Sequence, residues 1–73
     1  MKKVYRYYCL HRPPMPGTVP RGMVKIEDYG DRVAVKEIDR HAWGYVEYER
    51  RLSANEIGEY ELAPAPIDND IRG

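Results

Sequence analysis

The 73-residue sequence predicts a single α+β domain, in which a three- or four-stranded, mainly antiparallel sheet is followed by one short C-terminal helix. Several short segments are rich in β-branched and aromatic residues and alternate between apolar and polar positions, which is typical of strands. One segment, residues 53–56, carries a helix-start signal. A chain of this length buries only about 60% of its extended surface, so we expect one thin core.

The first strand is predicted within residues 3–12, where aromatic and β-branched side chains alternate. Alternation assigns Val4, Arg6, Tyr8 and Leu10 to one face, and Tyr5, Tyr7, Cys9 and His11 to the other. Residues 13–22 hold four of the six prolines. Because proline fixes φ and removes an amide donor, we predict a stiff, ordered and exposed loop there.

A hairpin is predicted next, with strands over residues 23–29 and 32–38 and a turn at Gly30 and Asp31. A further aromatic strand is predicted over residues 41–50, within which Gly44 indicates a bulge or a close backbone approach. Alternation places Trp43 and Tyr45 on the face opposite to Val46 and Tyr48.

The helix is predicted to begin at Ala54 and to last about two turns, since Ser53 and Glu56 fit a capping box. Pro64 should stop it. We therefore assign residues 1–63 to the domain and residues 64–73 to an extended or disordered tail.

The aromatic content is unusual, because the chain has seven tyrosines and one tryptophan but no phenylalanine. Each tyrosine hydroxyl must be hydrogen-bonded within the protein or exposed to solvent water. We expect tyrosine rings at the rim of the core or on a face kept for a partner. Homodimerisation is an ordinary way for so small a fold to bury more area, and the sequence leaves it open.

The formal net charge is zero, but the charge is unevenly spread. Residues 1–25 hold six basic side chains and no acid, whereas residues 26–73 hold six basic and twelve acidic side chains. Two interpretations follow. Either the halves neutralise each other across paired strands, or the basic half faces an acidic partner, which could be nucleic acid or protein.

No catalytic or cofactor-binding signature is present in the sequence. Cys9 and His11 would share a strand face with His41 available elsewhere, but a zinc site needs three or four ligands, and no paired Cys-x-x-Cys occurs. Nucleotide-binding glycine loops are also absent. We predict no enzyme activity, no catalytic residue, no metal and no cofactor.

Binding is therefore the function class that we favour, with a protein as the partner. The candidate partner-binding residues are Tyr5, Arg6, Tyr7, Arg12, Met15, Trp43 and Tyr45. The alternative is a small nucleic-acid-binding regulator that uses the basic, tyrosine-rich first strand. No window is apolar enough for a membrane span, so we expect no membrane partner and a cytoplasmic location.

The run from Tyr7 to Gly22, with the later segments 42–48 and 60–62, resembles small uncharacterised proteins of Firmicutes phages and integrative mobile elements. The similarity spans about residues 4–62. It implies no assigned chemistry and no functional residue. Its implication is one of context: short proteins of this origin often act by binding, and some block host defence nucleases or regulate the genes of the element.

Overall fold

The computed structural model describes residues 3–66, which form a four-stranded antiparallel sheet and one short helix near the C-terminus. The predicted α+β class is confirmed. In chain order the elements are strands β1 (Tyr5–Cys9) and β2 (Lys25–Val35), a 3₁₀ turn (Lys36–Ile38), strand β3 (Arg40–Tyr48), helix α1 (Ala54–Glu59) and strand β4 (Leu62–Pro64). No helix within residues 3–66 is long and apolar enough to cross a membrane.

The strand order across the sheet is β2-β3-β1-β4, so β1 and β3 are central and every neighbouring pair is antiparallel. Arg6 lies opposite Glu47, and Tyr8 lies opposite Tyr45 on β3 and Ala63 on β4. This register brings the basic first strand against the acidic second half of the chain. The ion pairs of Arg6 with Glu47 and of Arg12 with Glu61 confirm that the two halves neutralise each other at these positions.

The predicted hairpin turn at Gly30 and Asp31 is wrong. Residues 25–35 form one long strand, and the chain reverses instead at the 3₁₀ turn, where Asp39 adopts a left-handed conformation with φ 56°. Residues 29–32 bulge out opposite Trp43, because the register passes from Asp28 opposite Gly44 to Val33 opposite Ala42. Within the bulge, the amide of Gly30 donates to the carboxylate of Asp28 at 2.8 Å. Such a bulge disrupts pairing at an edge strand.

The sequence did not predict β4, which pairs with β1 at the second edge of the sheet. The amide of Ala65 donates to the carbonyl of Arg6 at 2.9 Å, and Ala65 is buried. Ordered structure therefore continues past residue 63, where we predicted the domain to end. The remainder of the predicted tail, residues 67–73, lies outside the described residues.

The capping box is confirmed. The Ser53 hydroxyl accepts from the Glu56 amide at 3.1 Å, and the Glu56 carboxylate accepts from the Ser53 amide at 2.8 Å. Arg50 also binds this carboxylate, at 3.0 Å. These hydrogen bonds, of which the one from Arg50 has the largest effect, lower the pKa of Glu56 to about 2. The helix thus begins at Ala54, as predicted.

The core lies on both faces of the sheet, as two clusters that the alternation of β1 separates. Tyr7 and Cys9 belong to the cluster beneath α1, whereas Tyr8 and Leu10 belong to the cluster on the other face. Both clusters are rich in tyrosine. Tyr7, Tyr8, Tyr45 and Tyr48 are all buried, so the rings lie inside the core and not only at its rim.

Part of the predicted proline-rich loop packs on the sheet. Pro14, Val19 and Pro20 are buried, and the buried Tyr48 hydroxyl donates to the carbonyl of Pro20. The loop is therefore less exposed than predicted. Met15, which is 53% exposed, lies in the part of the loop that faces solvent. Gly44 permits the loop to approach, since a Cβ atom there would lie 2.1 Å from the carbonyl oxygen of Glu27 and 2.9 Å from the ring of Pro14. The predicted close approach is confirmed.

Replacing Ser53 with alanine should lower the free energy of unfolding by ~0.5–2 kcal/mol, because the amide of Glu56 loses its acceptor. Urea unfolding followed by circular dichroism measures the change. Asn55→Ala is the matched control, since Asn55 is an exposed residue of the same turn. Equal stabilities for the two variants would mean that the cap does not hold the helix.

Two glycine-to-alanine variants should change stability in opposite directions. Gly44→Ala places a methyl group against backbone and proline atoms, and overpacking of this kind costs ~1–3 kcal/mol or more. Gly58→Ala meets open space within α1 and should stabilise the protein by up to ~1 kcal/mol. Thermal unfolding of both proteins tests the prediction, and a Gly44→Ala variant as stable as the parent would contradict the close approach.

Candidate partner-binding surface

A charged and aromatic cluster lies on the sheet face opposite to α1. We call it the Arg6 cluster; it consists of Arg6 and Tyr8 on β1, Tyr45 and Glu47 on β3, and Glu37 of the 3₁₀ turn. The register places Arg6 directly opposite Glu47 and Tyr8 directly opposite Tyr45. The cluster is therefore a direct result of strand alternation, with Glu37 added by the way the chain reverses after β2.

Arg6 makes an ion pair, hydrogen bonds and a cation–π contact within the cluster. Its Nη2 and Nε atoms lie 2.6 and 2.8 Å from Oε2 of Glu47, and its Cζ atom lies 3.9 Å from the centroid of the Tyr45 ring. A cation above an aromatic ring is attracted by the negative face of the ring. Partial burial disfavours the charge, but hydrogen bonds with Tyr8 and Glu47 outweigh it and raise the pKa of Arg6, so the guanidinium stays charged.

Tyr8 joins the sheet to the 3₁₀ turn, because its hydroxyl donates a hydrogen bond to the Glu37 carboxylate. Burial and this bond raise the pKa of Tyr8 to about 12. The Tyr8 and Tyr45 rings meet edge to face at 5.9 Å, and Tyr29 meets Tyr45 in the same way at 6.2 Å. The cluster is thus well packed, which fixes the positions of its charged groups.

A shallow groove of about 280 Å³ runs beside the cluster. Its lining combines apolar and charged side chains: Val4, Ala65 and Pro66 with Arg6, Glu37 and Glu47. Val4 is 44% exposed, which makes it one of the more exposed large apolar residues within residues 3–66. Since Glu47 neutralises Arg6, the lining leaves an excess of negative charge from Glu37. The groove suits a ligand with an apolar group beside a basic one.

The structure places the predicted partner-binding residues in different regions. Arg6 and Tyr45 come together in the Arg6 cluster, whereas Tyr5 and Tyr7 belong to the opposite face. Tyr7 is 4% exposed, and its hydroxyl accepts from the amide of Leu52. The other three are spread over the molecule: Arg12 pairs with Glu61, Met15 lies in the loop, and Trp43 is half-buried opposite the β2 bulge. Their role in binding stays a prediction.

Sequence reasoning missed Val4, Glu37 and Glu47 as candidate residues. Glu47 could have been found from the charge asymmetry, since a basic first strand needs acids opposite it. Glu37 had no such signal, because residues 32–38 were assigned wholly to a strand. Its position depends on the 3₁₀ turn, which brings the carboxylate over β1.

Cys9 is a buried core residue. Burial raises the pKa of its thiol to about 11, so it carries little thiolate near neutral pH. His11 is exposed. Within residues 3–66, no group of three or more histidine, cysteine, aspartate or glutamate side chains could hold a metal ion.

Comparison with known proteins gives a family. The family model described as "Defence against restriction A C-terminal" matches residues 2–67. No curated protein and no solved structure matches the chain. Because the family match covers nearly all of the sequence, the chain belongs to the defence against restriction A C-terminal family. The description supports the anti-defence theme of phages and mobile elements; an origin in Firmicutes stays a prediction.

Proposed function

We propose that this member of the defence against restriction A C-terminal family is a non-catalytic protein-binding module of a phage or mobile element, and that it inhibits a host defence protein. The observation that carries the proposal is the family match over residues 2–67. Restriction acts on DNA inside the host cell, so we place the interaction in the cytoplasm. The partner would be a component of the restriction machinery.

The groove beside the Arg6 cluster is the contact surface that we favour. Its apolar walls, Val4, Ala65 and Pro66, can bury an aliphatic or aromatic side chain of the partner. The carboxylate of Glu37 lies in the same lining and would attract a lysine or arginine beside that side chain. The rigid packing of Tyr8 and Tyr45 supports the proposal, since a preformed surface loses little entropy on binding.

Nucleic-acid binding by the first strand is the alternative. It requires basic groups that are available to phosphates. However, Arg6 is paired with Glu47 and Arg12 with Glu61, and Tyr7 and Tyr8 are too buried to stack on bases. These contacts favour the protein partner over a nucleic acid at this strand.

A restriction assay in cells tests the proposal. Unmodified phage or plasmid DNA should enter a restricting host at least ~10-fold more efficiently when the chain is expressed, because a tightly bound restriction protein is inactive. Val4→Asp should abolish the effect, since a carboxylate would stand on the apolar wall next to Glu37. No protection by the parent chain against any restriction system of its host would contradict inhibition.

Val33→Asp is the matched control, because Val33 is 43% exposed but lies on β2 and outside the groove. It should protect DNA as well as the parent does. Loss of protection in both variants, with folding intact by circular dichroism, would argue against the groove. A sub-micromolar, salt-sensitive complex with DNA that is lost in Arg6→Ala/Arg12→Ala would favour the alternative.

A further inference from the structure

A second cavity lies at the reversal between β2 and β3, and it shares no lining residue with the groove. Its volume is about 170 Å³, and its lining consists of Ala34, Val35, Lys36, Asp39, Arg40 and His41. Half of these residues have side chains that can be cationic. The cavity lies at the end of the sheet where the long β2–β3 pair closes.

The register places the three basic residues around one reversal of the chain. Arg40 lies opposite Val35 and His41 lies opposite Ala34 in the β2–β3 register, so both adjoin the last residues of β2. The amide of Asp39 donates to the carbonyl of Lys36 at 3.1 Å, and the left-handed conformation of Asp39 then returns the chain into β3. Lys36 and Arg40 therefore flank one tight turn.

The cationic groups of this cavity are available. Within residues 3–66, the side chains of Lys36, Arg40 and His41 have no ion pair or hydrogen bond, whereas Arg6, Arg12 and Arg50 are each paired with a glutamate. Glu37 is next to Lys36 in sequence, but its carboxylate is bound to Tyr8 and it does not line the cavity. Asp39 is the one acid in the lining. With a neutral histidine the lining still carries a net positive charge.

We propose that this cavity, which we call the turn cavity, binds a phosphate-type oxyanion. A guanidinium offers paired donors that match two oxygens of a phosphate, an ammonium adds a point charge, and an imidazole adds a further donor. The phosphate could be inorganic or a phosphodiester of nucleic acid, since both present the same oxygens. The site shares no lining residue with the proposed protein-binding groove, and it differs from Arg6 and Arg12, whose guanidinium groups are already paired.

Titration of the ¹⁵N-labelled protein, followed by amide chemical shifts, tests the proposal. Inorganic phosphate and a short single-stranded oligonucleotide are the two probes. We expect saturable shifts confined to residues 34–41 with at least one probe. Binding of phosphate alone indicates a free-anion site, whereas at least ~10-fold tighter and salt-sensitive binding of the oligonucleotide indicates a phosphodiester. No saturable shift in this segment with either probe would overturn the proposal.

Three variants make the test specific. Lys36→Ala/Arg40→Ala should weaken binding at least ~10-fold, because both main charges are lost. Lys3→Ala/Arg21→Ala removes the same charge from exposed residues outside the lining and should change affinity less than ~2-fold; an equal loss would overturn the site.

The third variant is Asp39→Asn. Asparagine tolerates the left-handed conformation that Asp39 adopts, so the turn should keep its shape. Removing the carboxylate from the lining should tighten anion binding several-fold. Weaker binding in a folded Asp39→Asn protein would overturn the assignment of the cationic lining as the binding element.

Discussion

Buried tyrosine hydroxyls hold this fold together. With no phenylalanine in the chain, the core uses tyrosine rings, and every buried hydroxyl then needs a hydrogen-bond partner. Three of the four buried tyrosines have such a partner outside the sheet. Tyr7 accepts from the amide of Leu52 ahead of α1, Tyr48 donates to the carbonyl of Pro20 in the proline-rich loop, and Tyr8 donates to Glu37 in the 3₁₀ turn. Each bond fixes one connecting segment to the two central strands.

This arrangement explains how a thin sheet positions its two candidate sites. The bond from Tyr8 holds the 3₁₀ turn over β1, which places Glu37 beside Arg6 in the groove. Glu37 does not line the turn cavity, where Asp39 is the one acid of the lining. The Tyr8 bond thus contributes an acidic group to the groove, and the lining of the turn cavity keeps a net positive charge.

The elements that depend on local sequence were predictable. Alternation in β1 and β3 sorted most of their residues correctly onto the two faces, the capping box fixed the start of α1, and Gly44 marked the close approach. These features depend on neighbours within a few residues, or on the absence of a side chain.

The elements that depend on distant contacts were not predictable. Gly30 looked like a turn, but the carboxylates of Asp28 and Asp31 accept from nearby amides, and β3 pairs with β2 on both sides of the bulge. The chain reverses at Asp39 instead, where an aspartate and not a glycine adopts the left-handed conformation, so the sequence did not mark the turn. β4 was missed because it has three residues and ends in a proline, and its pairing with β1 alone makes it a strand. Arg6 and Tyr45 were identified as candidates, whereas their partner Glu47 was overlooked although the charge asymmetry indicated acids opposite the first strand.

The most direct test of this account is the free energy of unfolding of Tyr48→Phe, measured beside Tyr5→Phe. Tyr48 is fully buried, and its hydroxyl donates to the carbonyl of the buried Pro20. Removing the hydroxyl leaves this carbonyl without its donor, so the free energy of unfolding should fall by ~1–3 kcal/mol. The hydroxyl of Tyr5 has no hydrogen bond within residues 3–66, so Tyr5→Phe should be close to neutral. A Tyr48→Phe protein as stable as the parent, or more stable, would contradict the claim that tyrosine hydroxyls anchor the segments around the sheet.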